Sequence, residues 1–193
     1  MIKKVLVFLG LVVLVACNND LSQKVTKCYF PDAPKEKAPL WVCGALIEGV
    51  PASGVGSTNP SKAGINFMIQ QATANARVVL AQQIQTDINS LVENNTQVVS
   101  DGNVEKVNII NGITNKAVTT QSLQGTKVFK QVTSPNGILY VLVGYDKELY
   151  ANYVSKVLED SYKAQSNDWN KIVPAQSFEA MKKEIVNNIE QRQ

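Results

Sequence analysis

The sequence predicts an α+β domain, and three patterns lead to that fold class. An apolar repeat with three- and four-residue steps begins at Ile65 and predicts a long amphipathic helix. Two segments rich in β-forming residues flank a turn at 134–137 and predict a β-hairpin. Further helical stripes follow Asp146 and Ser177. The chain of 193 residues has a length that suits a single domain.

Residues 1–16 have the pattern of a signal peptide. A basic start, with Lys3 and Lys4, precedes an apolar stretch of 11 residues at 5–15. At about 1.5 Å per helical residue, this stretch spans roughly half of a ~30 Å hydrocarbon core. It is therefore too short for a permanent transmembrane helix and is typical of a secretory signal.

The end of this segment, Leu-Val-Ala-Cys at 14–17, resembles the bacterial lipobox. Cleavage between Ala16 and Cys17 would leave a mature N-terminal cysteine whose sulfur carries diacylglycerol, with a further acyl chain such as palmitate on its amino group. Two lipid signals already make anchoring stable, so we expect a membrane anchor at Cys17. Asn18 and Asn19 follow in place of an aspartate, which favours the outer membrane. The alternative is an ordinary signal peptide followed by an unmodified cysteine.

Two further cysteines, Cys28 and Cys43, remain in the exported chain. In an oxidising compartment such thiols usually pair. Their bridge would close a loop of about 16 residues, which contributes about 3 kcal/mol in the chain-entropy model. The alternatives are a redox pair and a metal site, but the spacing differs from Cys-x-x-Cys and no histidine completes a zinc shell. The sequence predicts a structural disulfide.

Composition excludes several classes of function. The absence of histidine removes Ser-His-Asp and Cys-His catalytic sites. The net charge of +3 falls to about +1 when Lys3 and Lys4 are removed, because 17 basic residues then face 16 acidic ones. Since the charges are scattered, we expect no nucleic-acid partner. No carboxylate pair stands out for catalysis, and we expect no enzyme activity, cofactor or metal.

The chain divides into four predicted segments: the lipoprotein signal peptide 1–16, the lipidated N-terminus and tether 17–38, the α+β domain 39–165, and a linker with the C-terminal helix 166–193. The tether is polar and contains prolines. Within the domain, residues 40–45 are expected to be extended.

The first half of the domain is predicted to contain a loop and two helices. Residues 49–59 are rich in glycine and are expected to form a loop. Ala72 and Ala76 would let the first helix lie close against a sheet. Its stripe consists of Ile65, Met68, Ile69, Ala72, Ala76, Leu80 and Ile84. After Thr86, alternation predicts a strand at 88–92, followed by a turn at 101–102 and a second helix at 104–118.

The second half is predicted to contain the central strand. Residues 138–143 are apolar without a break, which indicates a strand covered on both faces. Asp146 is expected to cap a third helix. Residues 163–176 are polar and are interrupted by Pro174. The stripe of the final helix, which comprises Phe178, Met181, Ile185 and Ile189, is expected to pack on its own domain, with another molecule as the alternative.

A few residues suggest ligand binding but have simpler interpretations. Trp41 near the start of the domain is expected in the core. The segment Gly-Val-Gly-Ser at 54–57 lacks the remaining residues of a phosphate loop. Arg77 is expected at the surface or an interface. Three of the tyrosines have helical spacing, which favours packing over a stacking surface; the set is Tyr140, Tyr145, Tyr150, Tyr153 and Tyr162.

Four sequence segments occur in a characteristic order: Ala-Pro-Leu-Trp-Val at 38–42, Gly-Val-Gly at 54–56, Gln-Ala-Thr-Ala-Asn-Ala-Arg-Val-Val-Leu-Ala at 71–81, and Leu-Tyr-Val-Leu-Val-Gly-Tyr-Asp-Lys at 139–147. In order and spacing they resemble the Lpp-twenty (LPP20) family of Helicobacter-type outer-membrane lipoproteins, from about Pro39 to Tyr162. The resemblance implies a long helix packed on a small antiparallel sheet, akin to dodecin-like folds. The family includes flagellum-associated lipoproteins and supplies no catalytic residues.

The sequence thus predicts a non-catalytic structural or interaction module of the bacterial envelope, anchored in the outer membrane. The alternatives are a lipoprotein that binds a ligand or glycan, and a lipoprotein of the flagellar basal body. The expected partners are membrane lipid, through the acyl anchor, and a second copy of the chain or another envelope protein.

Overall fold

The computed structural model describes residues 26–96, 104–120 and 123–191. The strands are β1 (Tyr29–Phe30), β2 (Ala33–Lys37), β3 (Ala52–Thr58), β4 (Lys127–Thr133) and β5 (Leu139–Tyr145), with a 3-10 helix at Leu40–Cys43. The α-helices are α1 (Ile65–Thr96), α2 (Val104–Thr120), α3 (Lys147–Ala164), α4 (Ser166–Ile172) and α5 (Ala175–Gln191). Ala16, Cys17 and the predicted turn at 101–102 lie outside the described residues.

A three-stranded antiparallel sheet in the order β3-β5-β4 forms the centre of the fold. β5 pairs with β3 from Leu139 opposite Thr58 to Tyr145 opposite Ala52. Every residue of β5 is buried, which confirms the predicted central strand. α1 packs against β3 and β5. The predicted α+β fold, with a long helix on a small antiparallel sheet, is confirmed.

Glycines allow α1 to lie directly on the backbone of β3. A Cβ atom at Gly54 would stand 2.5 Å from the backbone oxygen of Ala76, and one at Gly56 would overlap the backbones of Ala72 and Ala76. The prediction that alanines bring the helix close to a sheet is confirmed. The loop predicted at 49–59 is wrong for most of its length, because these glycines are needed in a strand beneath the helix.

α1 is longer than predicted and continues through the expected strand at 88–92, which is wrong. The alternating residues Ile88 and Val92 also stand four positions apart. They extend the line of Leu80 and Ile84 along one helical face, and all four side chains are completely buried. The neighbouring α2 covers this part of the helix, so tertiary packing selects the helical periodicity.

Residues 27–50, which we call the cap, cover the face of the sheet opposite α1. Strands β1 and β2 form an antiparallel pair, and the ring of Phe30 lies 5.7 Å from the ring of Tyr140 on β5. The predicted tether therefore does not extend through residues 26–38, because this part of the chain folds onto the sheet. The extended structure expected at 40–45 is also wrong, since a 3-10 helix occupies Leu40–Cys43.

The C-terminal helices complete the core on the side of α1 and α2. Oδ1 of Asp146 accepts a hydrogen bond of 3.0 Å from the backbone N–H of Leu149, as predicted for a helix cap. The polar segment after residue 163 contains the unpredicted helix α4, whose Trp169 is fully buried. α5 packs against α3 and α1, which confirms that its apolar stripe belongs to its own domain.

Candidate functional site

The cap is closed by the predicted disulfide between Cys28 and Cys43, which the structure confirms. The bridge joins the start of β1 to the 3-10 helix. Additional backbone hydrogen bonds hold the same region together, from the N–H of Ala38 to the oxygen of Cys28 and from the N–H of Ala45 to the oxygen of Leu40. The cap is thus a compact unit held by a covalent bond, in the first part of the described chain.

Asp32, in the turn between β1 and β2, fastens the cap to the sheet. Its carboxylate accepts hydrogen bonds from the hydroxyls of Ser134, at 2.6 Å, and Tyr140, at 2.7 Å. Its backbone oxygen accepts a 2.6 Å bond from the side-chain amide of Asn136. All three donors belong to β5 or to the turn between β4 and β5. One aspartate therefore connects the first part of the described chain to the centre of the fold.

The protonation states of Asp32 and Tyr140 suit the hydrogen bond between them. Desolvation raises the pKa of the Asp32 carboxyl, but the hydrogen bonds from Ser134 and Tyr140 outweigh it and place that pKa below its ordinary value. Burial, with a further effect of the bond to Asp32, raises the pKa of Tyr140 to about 12. At neutral pH the carboxylate therefore accepts and the phenol donates.

The cap also exposes large apolar side chains. Leu46 is 82% exposed, Leu40 45% and Tyr29 44%. Trp41, which was expected in the core, is only half-buried. The 3-10 helix that carries Trp41 contributes no buried residue. Tyr29 follows Cys28, Leu40 and Trp41 share the 3-10 helix with Cys43, and Leu46 comes three residues later, so all four are close in sequence to the bridged cysteines. We call these four residues the apolar surface of the cap.

A second surface lies along α1: Phe67, Ala74 and Val78 are opposite its buried stripe, and Val79 lies four residues after Asn75 on the side toward β3. We call these four residues the helix face. These side chains are exposed, with Val78 at 60% and Val79 at 44%. Between residues 65 and 86, the only charged residue is Arg77. A solvent-exposed helix normally carries charged residues on this side. The exposed side of α1 is thus almost without charge, because amides such as Gln70, Gln71 and Gln82 accompany the apolar side chains. Depletion of charged residues is a feature of the core of protein interfaces.

The helix face adjoins the free edge of β3. Within the described residues, β3 pairs only with β5, and its seven residues carry no charge. The side-chain amide of Asn75 donates a 2.8 Å hydrogen bond to the backbone oxygen of Ser57 at this edge. The opposite edge differs, because β4 carries Lys127 and Lys130 and has an irregular register between 128 and 130.

Arg77 lies at the surface, whereas the tyrosines mostly serve packing. The guanidinium Nε of Arg77 donates a 3.1 Å hydrogen bond to the hydroxyl of Thr126, which places Arg77 at the surface as expected. The ring of Tyr145 lies 5.2 Å from that of Tyr153 and 6.2 Å from that of Tyr150. Tyr162 stacks on Phe178 with centroids 4.1 Å apart. The tyrosines therefore form internal contacts, as their helical spacing favoured, and not one stacking surface.

Burial decides the acidity of the inner tyrosines. It raises the pKa of Tyr153 to about 12, and it raises that of Tyr145 further, with the neighbouring Tyr153 adding to the shift. The hydroxyls of both are buried and have no hydrogen-bond partner. They stay protonated at neutral pH and offer no general base.

Metal-ligating clusters and membrane-spanning helices are both missing from the part of the chain that the structure describes. Across the ranges 26–96, 104–120 and 123–191, no three His, Cys, Asp or Glu side chains come together as a metal site. In the same part of the chain, no helix combines the length and the apolar character that a membrane span requires.

The segment that contains the central sheet and α1 matches a known protein family. Residues 48–146, which are 99 of the 193, match the family described as LPP20 lipoprotein. The chain belongs to the LPP20 lipoprotein family. It is accordingly a membrane-associated lipoprotein of the cell envelope. A comparison with curated proteins finds no significant match.

The segment that matches the LPP20 family contains β3, α1, α2, β4 and β5 and ends at Asp146. Most of the cap and the three C-terminal helices lie outside it. The helix face and the free edge of β3 therefore belong to the part of the protein that matches the family, whereas the disulfide-closed surface is an addition to it.

Asp32 and Leu46 were not identified from the sequence. No local pattern marks Asp32, because its side-chain partners are 102 and 108 positions away. Gly54 and Gly56 carried a usable signal, since their spacing of two matches one face of a strand and Ala72 and Ala76 supply the matching small residues on a helix.

Proposed function

We propose that this LPP20 lipoprotein is a non-catalytic structural module of the envelope that is anchored in the outer membrane by acyl chains on Cys17. We further propose that it assembles with copies of itself through the helix face and the free edge of β3. The contrast between the two edges of its sheet carries this proposal.

The first support comes from the edges. Unpaired strands invite association, and proteins usually protect them with lysines, bulges or irregular pairing. β4 has such protection in Lys127, Lys130 and its irregular register. β3 has no charged residue and pairs regularly with β5 along all seven positions. One edge is protected against association and the other is open to it.

The second support comes from self-complementarity. Two antiparallel copies of one strand are related by a two-fold axis, so a single surface serves both partners. Such pairing would bring the helix faces of two molecules close together. Neither the helix face nor β3 carries a charged residue that would repel its equivalent. Burial of Val78 and Val79 would add hydrophobic stabilisation.

The third support, for a non-catalytic role, comes from chemistry. The chain has no histidine. Several charged groups form pairs on the surface of single helices, such as Lys156 with Asp160 and Lys163 with Glu159, each at 2.7 Å. These contacts are typical of solvent-exposed helices and do not form a cleft with a nucleophile and a base.

The anchor is tested by replacing Cys17 with serine in cells of the source organism. We expect the variant to lose the acyl modification by mass spectrometry and to leave the outer-membrane fraction, because no other lipid signal is predicted. Its folded domain should keep the melting temperature of the wild type. A C17S variant that still fractionates with the outer membrane would contradict the anchor.

Self-assembly is tested with the soluble C17S protein by light scattering coupled to size exclusion. Val79→Lys places a charge beside the β3 edge and is expected to shift an oligomer to the monomer. Val128→Lys is the matched control, because Val128 is also 44% exposed but lies on the other edge strand. A monomeric parent protein, or equal effects of the two variants, would contradict the assembly.

The partner is tested in cells with a photo-crosslinking amino acid at Val78. We expect adducts of twice the mass of the chain. As the control, the same amino acid at Lys156 on α3 should give no such adduct. Adducts with a different envelope protein in place of the dimer would show that the helix face serves another partner and would overturn self-assembly.

A further inference from the structure

The exposed apolar residues of the cap lie where the anchored chain enters the domain. Cys17 and Cys28 are 11 positions apart, so the chain between them spans at most about 40 Å when fully extended. α1, with its 32 residues, is about 48 Å long at 1.5 Å per residue. The cap is thus held close to the bilayer by a connection shorter than the domain's longest element.

The side chains of this surface are of the kind found at membrane interfaces. Trp and Tyr prefer the headgroup region, where their amphipathic rings contact both lipid and water. Tyr29 is 44% exposed, whereas its neighbour Phe30 is buried against Tyr140. Leu46 is the most exposed large apolar side chain of the described residues. The disulfide and the hydrogen bonds of the 3-10 helix keep this surface rigid.

We propose that the cap docks on the lipid bilayer that holds the acyl anchor, with Leu46, Leu40, Trp41 and Tyr29 at the headgroup level. This inference rests on the proposed lipidation of Cys17. The cap carries three lysines and three acidic residues, so its net charge is zero and the apolar side chains provide the contact. Acyl chains hold the protein on the membrane, and the cap fixes its orientation.

That orientation has a consequence for the proposed assembly. The cap covers the face of the sheet opposite α1. With the cap on the bilayer, the helix face points away from the membrane and stays accessible. The hydrogen bonds of Asp32 to Ser134 and Tyr140 hold the cap on the sheet, so docking of the cap would also orient the sheet relative to the membrane.

The two tryptophans of the chain allow a direct test. Trp169 is fully buried, whereas Trp41 is half-exposed. The full lipidated protein is placed in phosphatidylethanolamine–phosphatidylglycerol vesicles whose acyl chains are brominated near the headgroup. The difference in emission between wild type and Trp41→Phe reports Trp41 alone. We expect brominated lipid to quench this Trp41 emission. We also expect its maximum to lie at a shorter wavelength than in the C17S protein in buffer.

Two variants identify the surface. The double change Leu40→Ser and Leu46→Ser is expected to abolish the quenching, and it should fold because both side chains are exposed. Val78→Ser on the helix face, which is exposed to a comparable degree, should quench like the wild type.

Flotation of the same vesicles separates the two proposals. Protein that does not float contradicts the lipid anchor itself. Protein that floats without quenching of Trp41 leaves the anchor in place and overturns docking of the cap. Quenching that survives the double Leu→Ser change also overturns docking of the cap. The same holds if the Trp41 emission is already shifted to shorter wavelength in buffer without vesicles, because self-association then shields Trp41.

Discussion

The hydroxyl of Tyr140 donates a 2.7 Å hydrogen bond to Oδ1 of Asp32, a residue 108 positions earlier in the chain. Tyr140 belongs to the central strand, and Asp32 belongs to the turn of the cap. Because the ring of Tyr140 also contacts Phe30, the same side chain joins the two parts by a polar and an apolar contact. The cap is therefore a part of the folded domain and moves with the sheet.

Tyr140→Phe should weaken the attachment of the cap. The variant keeps the ring but removes a hydrogen bond to a carboxylate, which we expect to lower the melting temperature by a few degrees. Tyr153→Phe is the matched control, since the hydroxyl of Tyr153 is buried without a partner. That control should be neutral or slightly stabilising in thermal denaturation. Equal losses in both variants would contradict the role of Asp32.

The contribution of Asp32 should depend on pH. Its folded-state pKa is lower than the ordinary value of about 4. The stability it provides is therefore present above pH 4 and is lost as the pH falls through the folded-state pKa. In thermal scans, the difference in melting temperature between wild type and Asp32→Asn should be largest at neutral pH and shrink below about pH 4. A difference that grows on acidification would contradict this sign.

Gly56→Ala should prevent folding. The new Cβ would overlap the backbone of α1 at Ala72 and Ala76, and neither a helix nor a central sheet can move aside locally. We expect a loss of more than about 4 kcal/mol, measured by chemical denaturation or seen as insoluble protein. Gly112→Ala in α2 meets no atom within 4 Å and should stabilise by about 1 kcal/mol. A stable Gly56→Ala protein would place α1 away from β3.

Removal of the disulfide should destabilise the protein without unfolding its centre. Cys28 and Cys43 are 15 positions apart, and the chain-entropy model gives about 3 kcal/mol for this loop size. The double serine variant should therefore show a lower free energy of unfolding in urea. The same loss should follow reduction of the wild type, while reductant should leave the double variant unchanged. Two free thiols in the non-reduced native protein would contradict the bridge.

Phe178→Ala should detach α5 from the core. The ring is buried between Tyr162 and Trp169, at centroid distances of 4.1 and 5.1 Å. A truncation of this kind costs about 3–5 kcal/mol. Lys183→Ala on the exposed side of the same helix should change stability by less than about 0.5 kcal/mol. Wild-type-like denaturation of Phe178→Ala would contradict the packing of α5 on its own domain.

The sequence alone determined the elements whose patterns are local. Each of these patterns involves only a few neighbouring positions and needs no knowledge of the fold. The apolar stripe from Ile65 predicts a helix, the turn at 134–137 predicts a hairpin, and Asp146 predicts the start of α3. The pairing of Cys28 with Cys43 also followed from counting, because only two thiols remain after Cys17. The lipid anchor at Cys17 stays a prediction from the lipobox.

Tertiary structure decided what depends on distant partners. Ile88 and Val92 fit both a strand and a helix, and burial against α2 selects the helix. Gly54 and Gly56 have the composition of a loop, yet they form a strand because only glycine admits the backbone of α1 at that distance. The role of Asp32 depends on partners more than 100 positions away, which local patterns do not encode. Likewise, an uncharged sequence becomes a candidate interface only when the fold leaves it at an open sheet edge.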